Sequence, residues 1–320
     1  MNIWAKYVLI ALSLVALELL YFAVAKRLGI VDNPNARSSH KSVVLRGGGV
    51  VFLFGAWLWA AFFGLAYPWF LAGLTLIAAV SFADDVKSLP DGVRLVVQFT
   101  AMALMFKELG LLQWNLWWAV IIALIVCVGI INAYNFMDGI NGITGAYSLA
   151  VALPLLAIES ISHSLIIVII LADLVFCFFN FRTKAKCFAG DVGAVTMAFL
   201  LVFGVFSVII ATGDFSYIML LAVYGVDSVL TIIHRIMLHE NLGKAHRKHA
   251  YQIMANELGL PHVLVSGIYA VLQLAVSAGL LLLPVNHYVY SAVVLAALGV
   301  GYLLFMKKYY HLHEEYLKNI

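Results

Sequence analysis

Five short polar stretches interrupt an otherwise apolar chain of 320 residues, and each carries residue types suited to phosphate or a divalent cation. Asp84 and Asp85 stand side by side at the end of an apolar run. Adjacent carboxylates repel unless a cation lies near both, and oxygen ligands suit Mg2+, which keeps waters and bridges to substrate phosphates. The run Asn132 to Gly145 holds Asn132, Asn135, Asp138 and Asn141. In a helix the first three share one face, while Gly139, Gly142 and Gly145 leave room for a ligand to touch backbone. Asp191, between Gly190 and Gly193, opens an apolar helix, where it either caps that helix or reaches a ligand. Arg46-Gly47-Gly48-Gly49, preceded by Arg37, His40 and Lys41, reads equally as an anion cradle or as a basic anchor with a flexible turn. In His246-Arg247-Lys248-His249 the histidines lack the further partners a zinc site needs. Phosphate contact by the planar Arg247 guanidinium fits that stretch better, with Lys248 facing solvent.

Other polar residues read as structural. Asp227 is placed to pair with Arg235, two helical turns on. Glu18 and Asp173 lie inside apolar runs with no evident partner. His311 and His313 belong to a Tyr-rich tail that reads as a surface helix at a membrane interface.

The elements that position these groups must be membrane helices. Hydrophobic residues make up 64% of the chain and charged residues 11%, against about 45–50% and about 25% in soluble domains. Eleven apolar spans are expected, at 7–25, 50–67, 69–83, 93–106, 116–131, 143–158, 165–179, 192–211, 215–233, 262–283 and 288–305. The first has its basic pair, Lys26-Arg27, after it and reads as an anchor rather than a cleaved leader. With the N-terminus outside and the C-terminus cytoplasmic, all 19 Lys and Arg residues except Lys6 and Lys107 fall on the inner side. The fold expected is thus all-α and polytopic, one integral-membrane domain over 1–320. Its inner loops 26–49, 84–92, 132–142, 180–191 and 235–261 carry nearly all the chemistry. Cys127 and Cys177 fall in spans and Cys187 in an inner loop, so no disulfide framework is implied.

Taken together, Asp84-Asp85, the run Asn132-Ala133-Tyr134-Asn135-Phe136-Met137-Asp138-Gly139-Ile140-Asn141-Gly142, Gly190-Asp191-Val192-Gly193 and the His246–His249 loop resemble the polyprenyl-phosphate N-acetylhexosamine-1-phosphate transferase family (glycosyltransferase family 4). The resemblance runs from about Asp32 to Gln252, and the asparagine-rich run is its most specific part. It implies an enzyme of the bacterial inner membrane with ten or eleven helices. Such an enzyme transfers a sugar 1-phosphate from a UDP-N-acetylhexosamine to undecaprenyl phosphate and releases UMP, beginning a cell-surface glycan. It also implies Mg2+, with Mn2+ as a substitute, held by Asn135 and Asp191. Asp84 and Asp85 would sit at the lipid phosphate, and Asp138 and Asn141 in the nucleotide pocket. Asn132, Arg46, Arg94, His246, Arg247 and His249 would bind substrate. The loop His-Arg-Lys-His-Ala-Tyr-Gln differs from the histidine-rich stretch of the muramyl-pentapeptide branch, which argues against that substrate.

Two other classes compete. A Mg2+-dependent intramembrane prenyltransferase would need a second cluster of spaced aspartates, where this chain has asparagines. A transporter or flippase would put charge mid-span and at both faces. A homodimer is compatible with the sequence, and nothing in it points to nucleic acid.

Overall fold

The computed structural model describes all residues except 35–38, 40–41, 113–114, 116, 159–161, 244–245 and 319–320. Its helices are α1 (Ile3–Leu28), α2 (Val50–Phe63), α3 (Pro68–Val86), α4 (Asp91–Glu108), α5 (Trp117–Met137), α6 (Ile143–Leu155), α7 (His163–Asn180) and α8 (Gly190–Thr212). A 3-10 segment, Phe215–Leu221, leads into α9 (Ala222–Met237). A single turn, α10 (Ala250–Gln252), passes into a π turn, Ile253–Glu257, before α11 (His262–Leu282) and α12 (His287–Lys318). One two-stranded ribbon interrupts the helices, with β1 (Val31–Asp32) antiparallel to β2 (Val44–Leu45) and Val31 opposite Leu45.

Each expected span corresponds to one helix. Eight helical segments are long and apolar enough to cross a membrane. α2 and α6 are apolar but have only 14 and 13 residues, short of the ~20 that a crossing needs. α4 has 18 residues and carries charges at both ends, Asp91 and Arg94 in its first turn and Lys107 and Glu108 in its last. Length and composition therefore support a polytopic all-α membrane protein, with eight helical segments among the described residues long and apolar enough to cross on their own.

The packing places α8 at the centre. It is apolar all round and lies against α2, α3, α5 and α6, as expected of a helix with no water-facing side. Small residues let neighbours approach closely. An added Cβ at Gly73 would meet the Ala101 carbonyl at 2.8 Å, and one at Gly55 the Ala172 methyl at 3.1 Å. Aromatic rings fill the rest: Phe70 stacks on Phe203 with centroids 4.0 Å apart. By contrast, α12 keeps most of its surface exposed, and its inner half packs on α9 and the π turn. Gathering α2, α3, α5 and α6 around α8 brings the ends of α3 and α5 and the start of α8 to one end of the bundle.

Candidate active site

The site is built on helix ends. α3 finishes with Asp84 and Asp85, and α8 begins at Gly190-Asp191. Both Asp85 carboxylate oxygens accept backbone N–H groups from the first turn of α8, Asp191 N at 2.8 Å and Val192 N at 2.9 Å. A carboxylate at a helix N-terminus is favoured by the unpaired N–H groups and the dipole there. Asp85 is fully buried and fastens α3 to α8. Gly190, at φ +71°, permits the contact, because an added Cβ would meet Asp85 Oδ2 at 2.5 Å.

Two arginines bind the acids. Arg46 Nε lies 2.6 Å from Asp85 Oδ1 and its Nη2 3.4 Å from Asp191 Oδ1. Arg94, from the first turn of α4, puts Nη1 3.0 Å from Asp84 Oδ2 and 3.6 Å from Asp191 Oδ2. Asp84 Oδ1 also accepts the Leu89 N–H. Asp84 and Asp191 are close enough to hydrogen bond when one of them is protonated. Three carboxylates and two cations thus share one site, which answers the repulsion that adjacent aspartates create on their own.

The triple glycine after Arg46 is not free to cradle an anion. A Cβ on Gly49 would run into the Gly193 Cα. Gly48 N and Gly49 N donate to the Phe188 and Ala189 carbonyls. These glycines let backbone pack on backbone, and that contact aims Arg46. Arg37, His40 and Lys41 lie outside the described residues. Gly139, Gly142 and Gly145 likewise face protein: the Tyr251 hydroxyl, the Phe181 ring, and Cys177 with Asp173.

α5 ends at Met137, so Asn132 and Asn135 are helical and Asp138 opens the loop beyond. Asn135 lines a small cavity with Asp191, Arg94, Gln98 and Ser81. Asn132 lies one turn deeper and exchanges amide hydrogen bonds with Gln98 at 2.9 and 3.4 Å. Asp138 accepts from Thr144 Oγ1 at 2.6 Å. Desolvation, only partly offset by that bond, pushes its pKa up to about 6. Asn141 Nδ2 donates to the Arg182 and Thr183 carbonyls, its carbonyl accepts from Ser266 Oγ, and its N–H faces His262 Nδ1 at 3.3 Å. Asn180 clasps the same loop, accepting from Gly142 N and donating to the Cys187 carbonyl.

The basic loop leans on the end of α5, where the Tyr251 hydroxyl donates to the Phe136 carbonyl and the His249 ring sits 6.5 Å from the Phe136 ring. The anchors of this loop differ from those expected. Asp227 does not pair with Arg235. Its Oδ1 faces His249 Nδ1 at 3.2 Å and also accepts the Ala250 N–H and the Thr231 hydroxyl, while Oδ2 takes the Tyr269 hydroxyl at 2.6 Å. Arg235 instead binds Glu240 and the Asn241 and Leu242 carbonyls. Lys248 is buried and paired with Glu240, not solvent-facing. Arg247 donates to Glu257 at 2.8 Å. His246 Nδ1 accepts the Lys248 N–H at 3.3 Å. Burial, then the charges of His249 and Arg235, pushes His246 down to about 3, so it is neutral with its proton on Nε2. His313, expected at the membrane surface, is buried against Glu257, whereas His311 is exposed. Glu18 and Asp173 are fully buried, and each accepts a thiol 3.8 Å away, from Cys187 and Cys177 respectively.

The parts played by Gln98, Glu257, His262, Ser266 and His313 were not readable in the sequence, since each meets its partner only through the fold. Among the described residues no three His, Cys, Asp or Glu side chains gather as a ready metal cage. Asn135 and Asp191 still present two oxygen donors to one cavity, which matches the one or two protein ligands Mg2+ takes when waters and phosphates complete its shell.

Residues 67–211, from the start of α3 to the end of α8, match the model of glycosyl transferase family 4. Over 266 residues the chain is 26% identical to a protein of Bacillus subtilis, a probable undecaprenyl-phosphate N-acetylglucosaminyl 1-phosphate transferase, covering 75% of this chain and 73% of that one. It is 26% identical over 242 residues to the undecaprenyl-phosphate alpha-N-acetylglucosaminyl 1-phosphate transferase of Thermotoga maritima, covering 73% and 76%. A phospho-N-acetylmuramoyl-pentapeptide-transferase of Thermotoga neapolitana is 33% identical over 119 residues, only 36% and 38% of the two chains. The matched helices are those that carry Asp84, Asp85, Asn135 and Asp191, so the likeness to glycosyl transferase family 4 falls on the helices that build the site.

Proposed function

We propose that the protein transfers N-acetylhexosamine 1-phosphate from a UDP-sugar to undecaprenyl phosphate at the cytoplasmic face of a bacterial inner membrane, with N-acetylglucosamine as the first donor to test. The observation that carries this reading is the site in which Arg46 and Arg94 bridge Asp84, Asp85 and Asp191 beside Asn135. Phosphoryl transfer between two polyanions demands charge neutralisation and alignment more than covalent chemistry. Relatives matched over about three quarters of the chain bear names of this activity, which disfavours a prenyltransferase or transporter.

In this reading the half-exposed arginines offer their free N–H groups to the phosphates, and Asn135 and Asp191 would hold Mg2+. The ion would neutralise charge on the diphosphate. An oxygen of the lipid phosphate forms a bond to the sugar-linked phosphorus as the bond to UMP breaks. Direct attack is favoured over a phospho-aspartate at Asp85, whose two oxygens are occupied by the start of α8. Asp84, tied to the partly exposed side chain of Arg94, is the carboxylate left to orient the acceptor.

The test is UMP release from UDP-N-acetylglucosamine by purified protein, with and without undecaprenyl phosphate. Release should require the lipid, stop with chelator and return with Mg2+ or Mn2+. Lipid-independent release, or none from any UDP-N-acetylhexosamine, would overturn the reading. A reporter fused after Ile320 should be active only in a cytoplasmic format if the basic loops face inward.

A further inference from the structure

α12 has 32 residues, about 48 Å at 1.5 Å per residue, against a hydrocarbon core of about 30 Å. Its apolar part ends near Met306, so the last turns stand clear of the bilayer. They do not trail into solvent. His313 Nδ1 lies 2.8 Å from Glu257 Oε1, and the same oxygen accepts Arg247 Nη2 at 2.8 Å. Because a carboxylate only accepts, His313 carries its proton on Nδ1. The Arg247 guanidinium carbon sits 4.1 Å over the ring of Tyr316, and Tyr310 meets His234 edge to face with centroids 4.5 Å apart. The side chains of Arg247, Glu257 and His313 are 9%, 3% and 2% exposed.

Two details point beyond packing. Glu257 closes the π turn Ile253–Glu257, and single π turns shift the register of a helix, frequently at functional sites. Arg247 Nε is buried with no partner among the described residues. A folded chain rarely leaves such a donor unmatched, and a charged donor without an acceptor among the described residues is suited to an anionic oxygen from outside. The Glu257 contact therefore consumes one guanidinium nitrogen and leaves another for a ligand.

We propose that Glu257 and His313 are positioning residues for Arg247: the overhanging end of α12 closes on the basic loop and fixes the guanidinium so that its remaining donor meets the phosphates of the UDP-sugar. This rests on the reading of the loop as a phosphate-contacting segment.

The test separates the two substrates. His313→Ala should raise KM for UDP-N-acetylglucosamine about tenfold, the effect of losing one charge-assisted hydrogen bond. It should leave kcat and KM for undecaprenyl phosphate close to those of the parent, while the melting temperature falls because Glu257 loses a buried partner. His313→Asn, whose amide can donate in place of Nδ1, should restore most of the donor affinity. A donor KM unchanged in His313→Ala would overturn the proposal. So would equal losses in kcat and both KM values that His313→Asn does not rescue, since those mark a merely structural contact. If the parent protein releases no UMP, the transferase reading fails on its own, and backbone amide exchange over 246–249 still decides the anchoring. Exchange faster in His313→Ala and normal in His313→Asn supports it, and unchanged exchange overturns it.

Discussion

Around Asp191 the acids sit on helix ends and the arginines reach across to them; around Arg247 the cations sit in a loop and the acids stand behind them. Arg46 and Arg94 are 33% and 34% exposed, so an incoming phosphate can draw on them while solvent compensates the acids they leave. Arg247 and His249 are held by Glu257 and Asp227, which are nearly inaccessible. One region is organised by displaceable counterions and the other by fixed ones. The first suits groups that must change partners during a reaction, and the second suits groups that must only point.

The largest effect expected lies in the displaceable region. Asp191→Asn keeps size but turns one of the two acceptor oxygens into a donor and removes a charge shared by Arg46, Arg94 and the proposed ion. UMP release should fall at least ~10²-fold, as for loss of a ligand to a charge-stabilising metal, while the protein still inserts. Near-normal turnover would remove Asp191 from the chemistry and erase the distinction between the regions.

Stability should sharpen the same contrast in the opposite sense. Asp227→Ala leaves His249, Thr231, Tyr269 and the Ala250 N–H without their acceptor, and breaking a buried pair from one side typically costs about 3–5 kcal/mol. Arg94→Ala removes a partly exposed cation, and Asp84 keeps the Leu89 N–H, so about 1 kcal/mol is expected. Thermal unfolding in detergent measures both. Equal destabilisation would mean that the two sets of counterions do not differ.

The displaceable region was the more legible one in the sequence. Asp84-Asp85, the asparagine run and Gly190-Asp191 sit at the borders of apolar runs, and polar residues at such borders stand out against a hydrophobic background. The bundle could be anticipated for the same reason, since each expected span is a helix. Helix ends were not so readable: α2 and α6 are shorter than the runs suggested, because Gly64 and the turn after Leu155 end them early. The anchors of the basic loop stayed hidden. Glu257 and His313 are 56 positions apart, and no local pattern links residues that meet only after the chain has gone out along α11 and come back along α12. Asp227 and Arg235 misled through helical spacing, which shows who can meet on one helix but not who does. The glycines misled too, because a residue without a side chain signals close approach without saying by what.

Asp138, between the two regions, ties the comparison to pH. Its pKa of about 6 lies above the ordinary 3.8 because of desolvation, so the carboxylate is lost as pH falls through about 6. If its charge is needed, turnover should drop on the acid side with a midpoint near there, and Asp138→Asn should be slow at every pH without that limb. Stability should move the other way. The folded chain holds this proton more tightly than the unfolded one, so the parent loses stability relative to Asp138→Asn as pH rises from about 4 to about 6. An acid limb that persists in the Asn variant would assign it to another group.

The smallest effect should come from Lys248, and it tests whether the fixed region is fixed by geometry or by charge alone. Lys248 and Arg235 share one acid, Glu240. Lys248→Ala leaves Glu240 bound to Arg235, so no carboxylate is orphaned. The loss should be about 1 kcal/mol, the upper range for a partly screened pair, with UMP release nearly unchanged because His249 and Arg247 keep their own anchors. Glu240→Ala strips both cations of their shared acid at once and should cost more, since the buried Arg235 then loses its carboxylate partner. The two variants read in one melting series give the ranking. If Lys248→Ala proves as damaging as Glu240→Ala, or abolishes turnover while the fold persists, Lys248 contacts substrate itself and the fixed region contains a third working cation.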